Sequence, residues 1–170
     1  MISRLISFLL VFVLPLSGCG YALVGSGSSL PANVRTVSIP LFENKTGEPN
    51  LDTIVTRVVK EKFIEDGRLK VLDGAMADSV LRGVIESYSL KPLAYDESNN
   101  VTEYMVRMTI YITHTAGRSG KILKRQRLNT NWRYAVDPSI TVAESQRLDA
   151  MEKAAVYSAE SIISLVIESF

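Results

Sequence analysis

Apolar and polar positions alternate along Val34-Arg35-Thr36-Val37-Ser38-Ile39, the period of a half-buried strand. Pro40 cannot donate to a ladder, so it ends that strand or sets it at an edge. Residues 44–50, Asn-Lys-Thr-Gly-Glu-Pro-Asn, read as a turn-rich loop. The period then changes. Leu51, Ile54, Val55, Val58, Val59 and Phe63 recur at three- and four-residue spacing, which predicts an amphipathic helix. Asp52 suits the positive end of its dipole, and Gly67 suits its stop.

Strand periods return after Gly67. Leu69 to Leu72 is a short strand candidate, closed by a turn at Asp73-Gly74. A longer one covers Ser79 to Leu90, with Leu81, Gly83 and Ile85 on one face, and ends before the polar run Asp96 to Asn100. Glu103 to Thr115 alternates most clearly: Tyr104, Val106, Met108, Ile110 and Ile112 face one way, and Arg107, Thr109, Tyr111 and Thr113 the other. Gly117-Arg118-Ser119-Gly120 makes a hairpin connection to a partner strand from Lys121 to about Tyr134. On that strand Leu128, Thr130, Trp132 and Tyr134 oppose Arg125, Arg127, Asn129, Asn131 and Arg133. A long helix closes the chain. Thr141-Val142-Ala143-Glu144 matches a capping box, and Leu148, Met151, Ala155, Ala159, Ile162 and Val166 form its stripe. Ala154, Ala155, Ser158 and Ala159 are small enough to let it approach a sheet closely.

Burying every stripe at once predicts an α+β fold: a single mixed, mostly antiparallel four-stranded sheet with two helices packed on one face. The other face stays open and carries Arg107, Arg125, Arg127 and Arg133 beside Thr109 and Tyr111.

The first residues follow a different logic. Arg4 precedes the mostly apolar run Leu5 to Leu16, which is too short for the roughly 20 residues of a membrane span and reads as an export signal. Leu16-Ser17-Gly18-Cys19 resembles the bacterial lipobox, in which the cysteine thiol takes a diacylglycerol and the signal is cut just before it. The expected organisation is a signal peptide over 1–18, an acylated N-terminus (palmitate among its chains) and tether over 19–33, and a single domain over 34–170. Gly20 in place of Asp favours the outer membrane under the enterobacterial sorting rule. Each buried methylene contributes about 0.8 kcal/mol and one chain holds only marginally, so several chains would anchor the protein durably.

Composition narrows the chemistry. Cys19 is the only cysteine, which leaves no internal disulfide and, once acylated, no thiol nucleophile. Arg4 is the only charged residue before Cys19, so the remainder balances acid against base and gives no reason to expect nucleic acid. His114, the sole histidine, lies near a strand end and reads as a solvated edge residue rather than a catalytic base. No nucleophile motif appears, no metal or other cofactor is implied, and the protein is not expected to be an enzyme. Asp96, Glu97 and Glu103 read as a solvated loop or, less often, a weak calcium site. The basic strand says more: Lys121, Lys124, Arg125, Arg127 and Arg133 crowd a short stretch, and guanidinium forks suit phosphate and carboxylate oxygens. A solvated edge strand protected from aggregation uses the same residues.

Cys19-Gly20-Tyr21-x-Leu23-x-Gly25 resembles the opening of the lipopolysaccharide-assembly lipoproteins, the LptE family. Leu30-Pro31, Val37-x-Ile39-x-x-Phe42-x-Asn44-x-Thr46 and Ala77-Asp78-x-x-Leu81-x-Gly83-x-Ile85 continue the resemblance in order. Tyr88, Pro92-Leu93-Ala94-Tyr95 and Glu103-Tyr104-x-Val106 extend it, so it spans the mature chain. It implies two helices on a four-stranded sheet, held at the periplasmic side of the outer membrane as a plug inside the large β-barrel LptD. That pair would insert lipopolysaccharide (LPS) into the outer leaflet. LPS binding, also implied, falls by charge and face on Lys121, Arg125, Arg127 and Arg133. The Phe-x-Asn-x-Thr start also resembles lipoproteins that activate peptidoglycan synthases or serve curli-type secretion. A tether of this length spans at most roughly 50 Å, which favours work close to the membrane.

Overall fold

The computed structural model describes residues 30–168 apart from 32 and 75, so the expected signal peptide, Cys19 and most of the tether lie outside the described residues. The chain runs β1 (Thr36–Ser38), β2 (Glu43–Asn44), α1 (Leu51–Asp66), β3 (Lys70–Val71), β4 (Ser79–Tyr95), β5 (Val101–Ala116), β6 (Ile122–Ala135) and α2 (Ile140–Ile167). The sheet has six strands in the order β3-β1-β4-β5-β6, with β2 also paired to β4. The α+β class is as expected, and the strand number corrects the expected four. The difference lies in very short parallel pieces. β3 and β2 are two residues each, and β2 falls in a stretch whose Asn, Gly and Pro content reads as loop.

α1 carries the chain from β1 across to its parallel neighbour β3. Its apolar stripe is buried as Leu51, Val55, Val58, Val59 and Phe63. Gly67 ends it at φ 72°, with its N–H on the Phe63 carbonyl at 3.2 Å, a left-handed stop that glycine adopts without strain. From β4 onward the sheet is an antiparallel meander. Its core row comprises Leu81, Ile85, Val106, Met108, Ile110 and Ile112, all nearly inaccessible to water. The small face of α2, with Ala150, Ala154, Ala155, Ser158 and Ala159 buried, lets its backbone lie close over this row.

Two devices bind the short strands to the long one. The Phe42 ring occupies the space over Gly83, where any Cβ would run into it, and the Phe42 N–H donates to Thr56 Oγ1 of α1 at 2.9 Å. Asp78 accepts from the Arg35 and Thr36 amides and from Thr36 Oγ1, at 3.1, 3.1 and 2.8 Å, which clips β1 to the start of β4. The Thr36 hydroxyl, with the Arg35 and Thr36 amides, holds the Asp78 carboxyl below the usual carboxylate range. Asn44 closes the following loop. Its Oδ1 accepts from the Thr46 amide and hydroxyl, and its Nδ2 donates to the Glu48 carbonyl. The Phe42, Asn44, Thr46, Ala77-Asp78 and Gly83 positions singled out in sequence are therefore a packing and loop-closing set.

Two local expectations are overturned. α2 begins one residue before Thr141 with Ser139 at its cap and no side-chain cap bond, and Glu144 is turned to Arg147, so the capping box does not form. His114 is wholly buried rather than solvated, because it continues the inward row of β5 after Ile112. One polar pair crosses the core: Ser158 donates to the Ala154 carbonyl at 2.9 Å, which leaves Thr130 to donate to Ser158 Oγ at 2.6 Å. Replacing Ser158 by alanine strands the Thr130 hydroxyl. A loss of about 1–2 kcal/mol is expected from chemical denaturation.

Candidate functional site

Among the described residues the sheet's other face is uncovered, because both helices pack on the Leu81–Ile110 side. On β5 it presents Glu103, Met105, Arg107, Thr109, Tyr111 and Thr113, and on β6 Arg125, Arg127, Asn129, Asn131 and Arg133. No register break separates Lys124 from Ala135, so the three arginines of β6 do share one face. On β4 the parity switches. A register shift between Ile85 and Ser87 turns Arg82 and Val84 outward before it, and Ser87, Ser89 and Lys91 outward after it. The bulged residue, Glu86, also reaches this face.

Cross-strand rows set the charge pattern. Arg82, Thr113 and Arg125 form one row, so two guanidinium groups flank a threonine at two strand spacings, about 10 Å. Ser89, Arg107 and Asn131 form another, and Lys91, Met105 and Arg133 a third. Val84, Tyr111 and Arg127 lie between them. There Arg127 grips Glu86 with Nε at 2.7 Å and Nη2 at 3.1 Å. That forked contact holds the Glu86 carboxyl below its ordinary range and the guanidinium above its own. Arg82, Lys91, Arg107, Arg125 and Arg133 have no side-chain partner among the described residues. The helices lean the other way, with eight acidic residues (Asp52, Glu61, Glu65, Asp66, Glu144, Asp149, Glu152 and Glu160) against five basic ones (Arg57, Lys60, Lys62, Arg147 and Lys153). A nearly neutral chain is thus charge-segregated.

Lys121 is not part of this array. It lies just before β6, beside the inward-facing row, and lines a small pocket with His114 and Lys124. Sequence reasoning grouped it with the arginines by charge and expected face. It missed Arg82 and Lys91, which only pairing across β4 and β5 brings to the face.

At the far end, the β4–β5 hairpin extends past the common core and bounds a cleft of about 800 Å³ with the first turns of α2. Tyr104 and Tyr134 stack there, with ring centroids 5.9 Å apart. Arg147 bridges Glu48 at 2.6 Å and Glu144 at 2.8 Å, tying α2 to the Asn44 loop. Leu93, Tyr95, Ile140 and Val142 stand exposed around this end. Asp96 spends its carboxylate on the Ser98 and Asn100 amides and on Asn100 Nδ2, and no cluster of acidic, histidine or cysteine side chains among the described residues is placed to hold a metal ion. No helix among them is long and apolar enough to cross a membrane.

The fold is one seen in solved structures. A minor lipoprotein from Acinetobacter baumannii aligns over 81% of this chain and 97% of its own, with a TM-score of 0.50 and 16% identity. A hypothetical protein from Chlamydia trachomatis aligns over 77% and 96%, with a TM-score of 0.55 and 8% identity. The rare lipoprotein B of Shewanella oneidensis aligns over 72% and 90%, with a TM-score of 0.48 and 20% identity. No curated protein sequence matches the chain significantly. The Acinetobacter and Chlamydia likenesses define the fold, a two-helix, open-sheet domain. The family follows from the sequence: the LptE model, described as lipopolysaccharide-assembly, matches residues 34–165, and this chain belongs to that family. It is an LPS-assembly lipoprotein.

Proposed function

We propose that this protein, tethered through an acylated Cys19 to the periplasmic side of the outer membrane, plugs a large LptD-like β-barrel and helps pass LPS to the outer leaflet. Family membership supports the assembly role. The observation that carries the mechanism is the open cationic face. A lumen of porin type is polar, and a rigid sheet with Thr, Asn and Arg rows suits it. Phosphorylated lipid passing the face meets Arg82 and Arg125 on either side of Thr113, then Arg107 and the Lys91–Arg133 row. Guanidinium groups take phosphate oxygens in forked pairs and so compete with divalent cations for them. Arg125 and Arg133 are primary contacts in this reading. Arg127 is a reserve held by Glu86, and Lys121, which lies off this face, takes no part in it. The work is binding and positioning, with no covalent step.

The test has two parts. A gentle-detergent pull-down of the acylated protein from outer membranes is expected to bring a stoichiometric barrel protein. A peptidoglycan synthase in its place would overturn the plug role. In an LPS titration, the combined Arg82→Glu, Arg107→Glu and Arg125→Glu variant is expected to bind at least about tenfold more weakly at low salt, where screening is least. Glu86→Gln, which releases Arg127, is expected to bind about two- to fivefold more tightly, the modest effect of freeing one exposed guanidinium. Unchanged affinity in both variants would remove the face from the mechanism.

A further inference from the structure

The His114 ring is fully buried, both its nitrogens are closed off from water, and neither Nδ1 nor Nε2 has a hydrogen-bond partner among the described residues. A neutral imidazole has one donor and one acceptor nitrogen, and leaving such a group unmatched costs about 1–3 kcal/mol. An apolar side chain would complete the row of Val106, Met108, Ile110 and Ile112 at no such cost. The ring is not sealed in hydrocarbon, however. It lines a pocket of about 200 Å³ beneath the β5–β6 hairpin, closed by Leu30 and Pro31 at the chain's entry and by Leu165 and Val166 of α2. That is room for about six waters, or for one tetrahedral oxyanion with less solvent.

The charges around this pocket have one sign. Lys124 is the cross-strand neighbour of His114, and Lys121 lies on the turn side. Neither lysine has an acidic partner among the described residues, and no carboxylate is among the lining residues. The last turn of α2 contributes partial negative charge, worth about half an elementary charge. Two ammonium groups exceed it, so the pocket remains net positive. His114, Lys121 and Lys124 are its only lining residues with ionisable side chains among the described residues, and the pocket lies on the side opposite the arginine rows.

We infer that this pocket is a site for a phosphate-type oxyanion, held by the Lys121 and Lys124 ammonium groups and completed by a hydrogen bond from the His114 ring, which turns a nitrogen toward the pocket to make it. The site does not depend on the LPS reading of the open face. The phosphate of an anionic lipid and free phosphate share the required chemistry. An anion there also favours a proton on His114, so anion binding and ring protonation reinforce each other.

His114 is the only histidine, so its ring ¹⁵N signals are unambiguous. The full acylated chain is placed in phosphatidylcholine nanodiscs in a phosphate-free buffer and titrated with inorganic phosphate. A matched sodium chloride series and nanodiscs containing phosphatidylglycerol are run beside it. The expected result is a saturable shift of the ring signals toward the imidazolium pattern, with the ring's titration midpoint raised by about one pH unit or more. A response to inorganic phosphate identifies a free-anion site, and a response to phosphatidylglycerol alone identifies a membrane phosphate. The paired variant Lys121→Gln and Lys124→Gln is expected to weaken either response at least about tenfold. No response to either source, the same response to chloride, or a full response in the paired variant would overturn the inference.

Discussion

Replacing Gly83 with valine is expected to destabilise the domain by about 3–5 kcal/mol, a large share of the roughly 5–15 kcal/mol that holds a domain of this kind. The reason is contact rather than backbone freedom. Gly83 pairs with Ile112 in the middle of the sheet, and the Phe42 ring fills the place where a Cβ would project. Phe42 is itself buried and is fixed by its amide bond to Thr56, so it cannot simply swing outward. Expelling it forfeits what a buried phenylalanine contributes, about 3–5 kcal/mol by truncation. The decisive measurement is a double-mutant cycle by chemical denaturation in mild detergent. In a Phe42→Ala background the same Gly83→Val change should cost much less, because valine then partly fills the vacated space. Additive losses would mean that the two residues are not coupled through this contact.

That contact also shows what a linear reading can and cannot reach. Phe42 and Gly83 were each visible as motif positions, and both neighbouring elements were legible from period alone. Nothing in the spacing brings them together, because β2 is a two-residue parallel strand whose pairing with Val84 and Ile85 depends on the tertiary fold. The long hairpin was legible because alternation over β5 and β6 is uninterrupted from Glu103 to Thr113. β4 was legible as a strand to Leu90, but its inward row only as far as Ile85. The bulge at Glu86 shifts the inward row from Leu81, Gly83 and Ile85 to Tyr88 and Leu90, and a shift of one residue exchanges the faces.

The candidate face divides in the same way. Arg125, Arg127 and Arg133 were correctly placed together because they lie on one unbroken strand. The salt bridge that occupies Arg127 was invisible, since Glu86 comes from two strands away. Arg82 joins the site only through Thr113 and Arg125, three positions on three strands. Lys121 went astray for the opposite reason: it is close in sequence and on the other side of the sheet. Local propensity misled at Thr141, where the hydroxyl and Glu144 had the right spacing for a box. Arg147, held also by Glu48, offers Glu144 a charge-assisted fork instead.

Stability should fall by about 2 kcal/mol when the pH is lowered from 6.5 to 5, and His114 should account for that fall. Burial pushes the ring down to about 4 from an ordinary 6.5. Between those values the unfolded chain holds a proton that the folded chain lacks, so acid favours unfolding. The contribution is complete above about 6.5, is lost progressively below it, and levels off near 4 at a total of about 3 kcal/mol. The carboxylates held low by their partners, Asp66, Asp78, Glu86, Asp96 and Glu144, also lose stability in acid. Their losses come as pH falls through and below the ordinary carboxylate range, so the interval above pH 5 isolates the histidine. In phosphate-free buffer His114→Leu should be flat from pH 7 to 5, and more stable at pH 7 by about 1–3 kcal/mol because no ring nitrogen is left unmatched. A flat wild-type profile over the same interval would mean that the ring is already hydrated or partnered in solution. Adding phosphate to the wild type separates the remaining cases: a filled pocket stabilises the protonated ring and flattens the acid limb, whereas an empty, water-lined pocket leaves it unchanged.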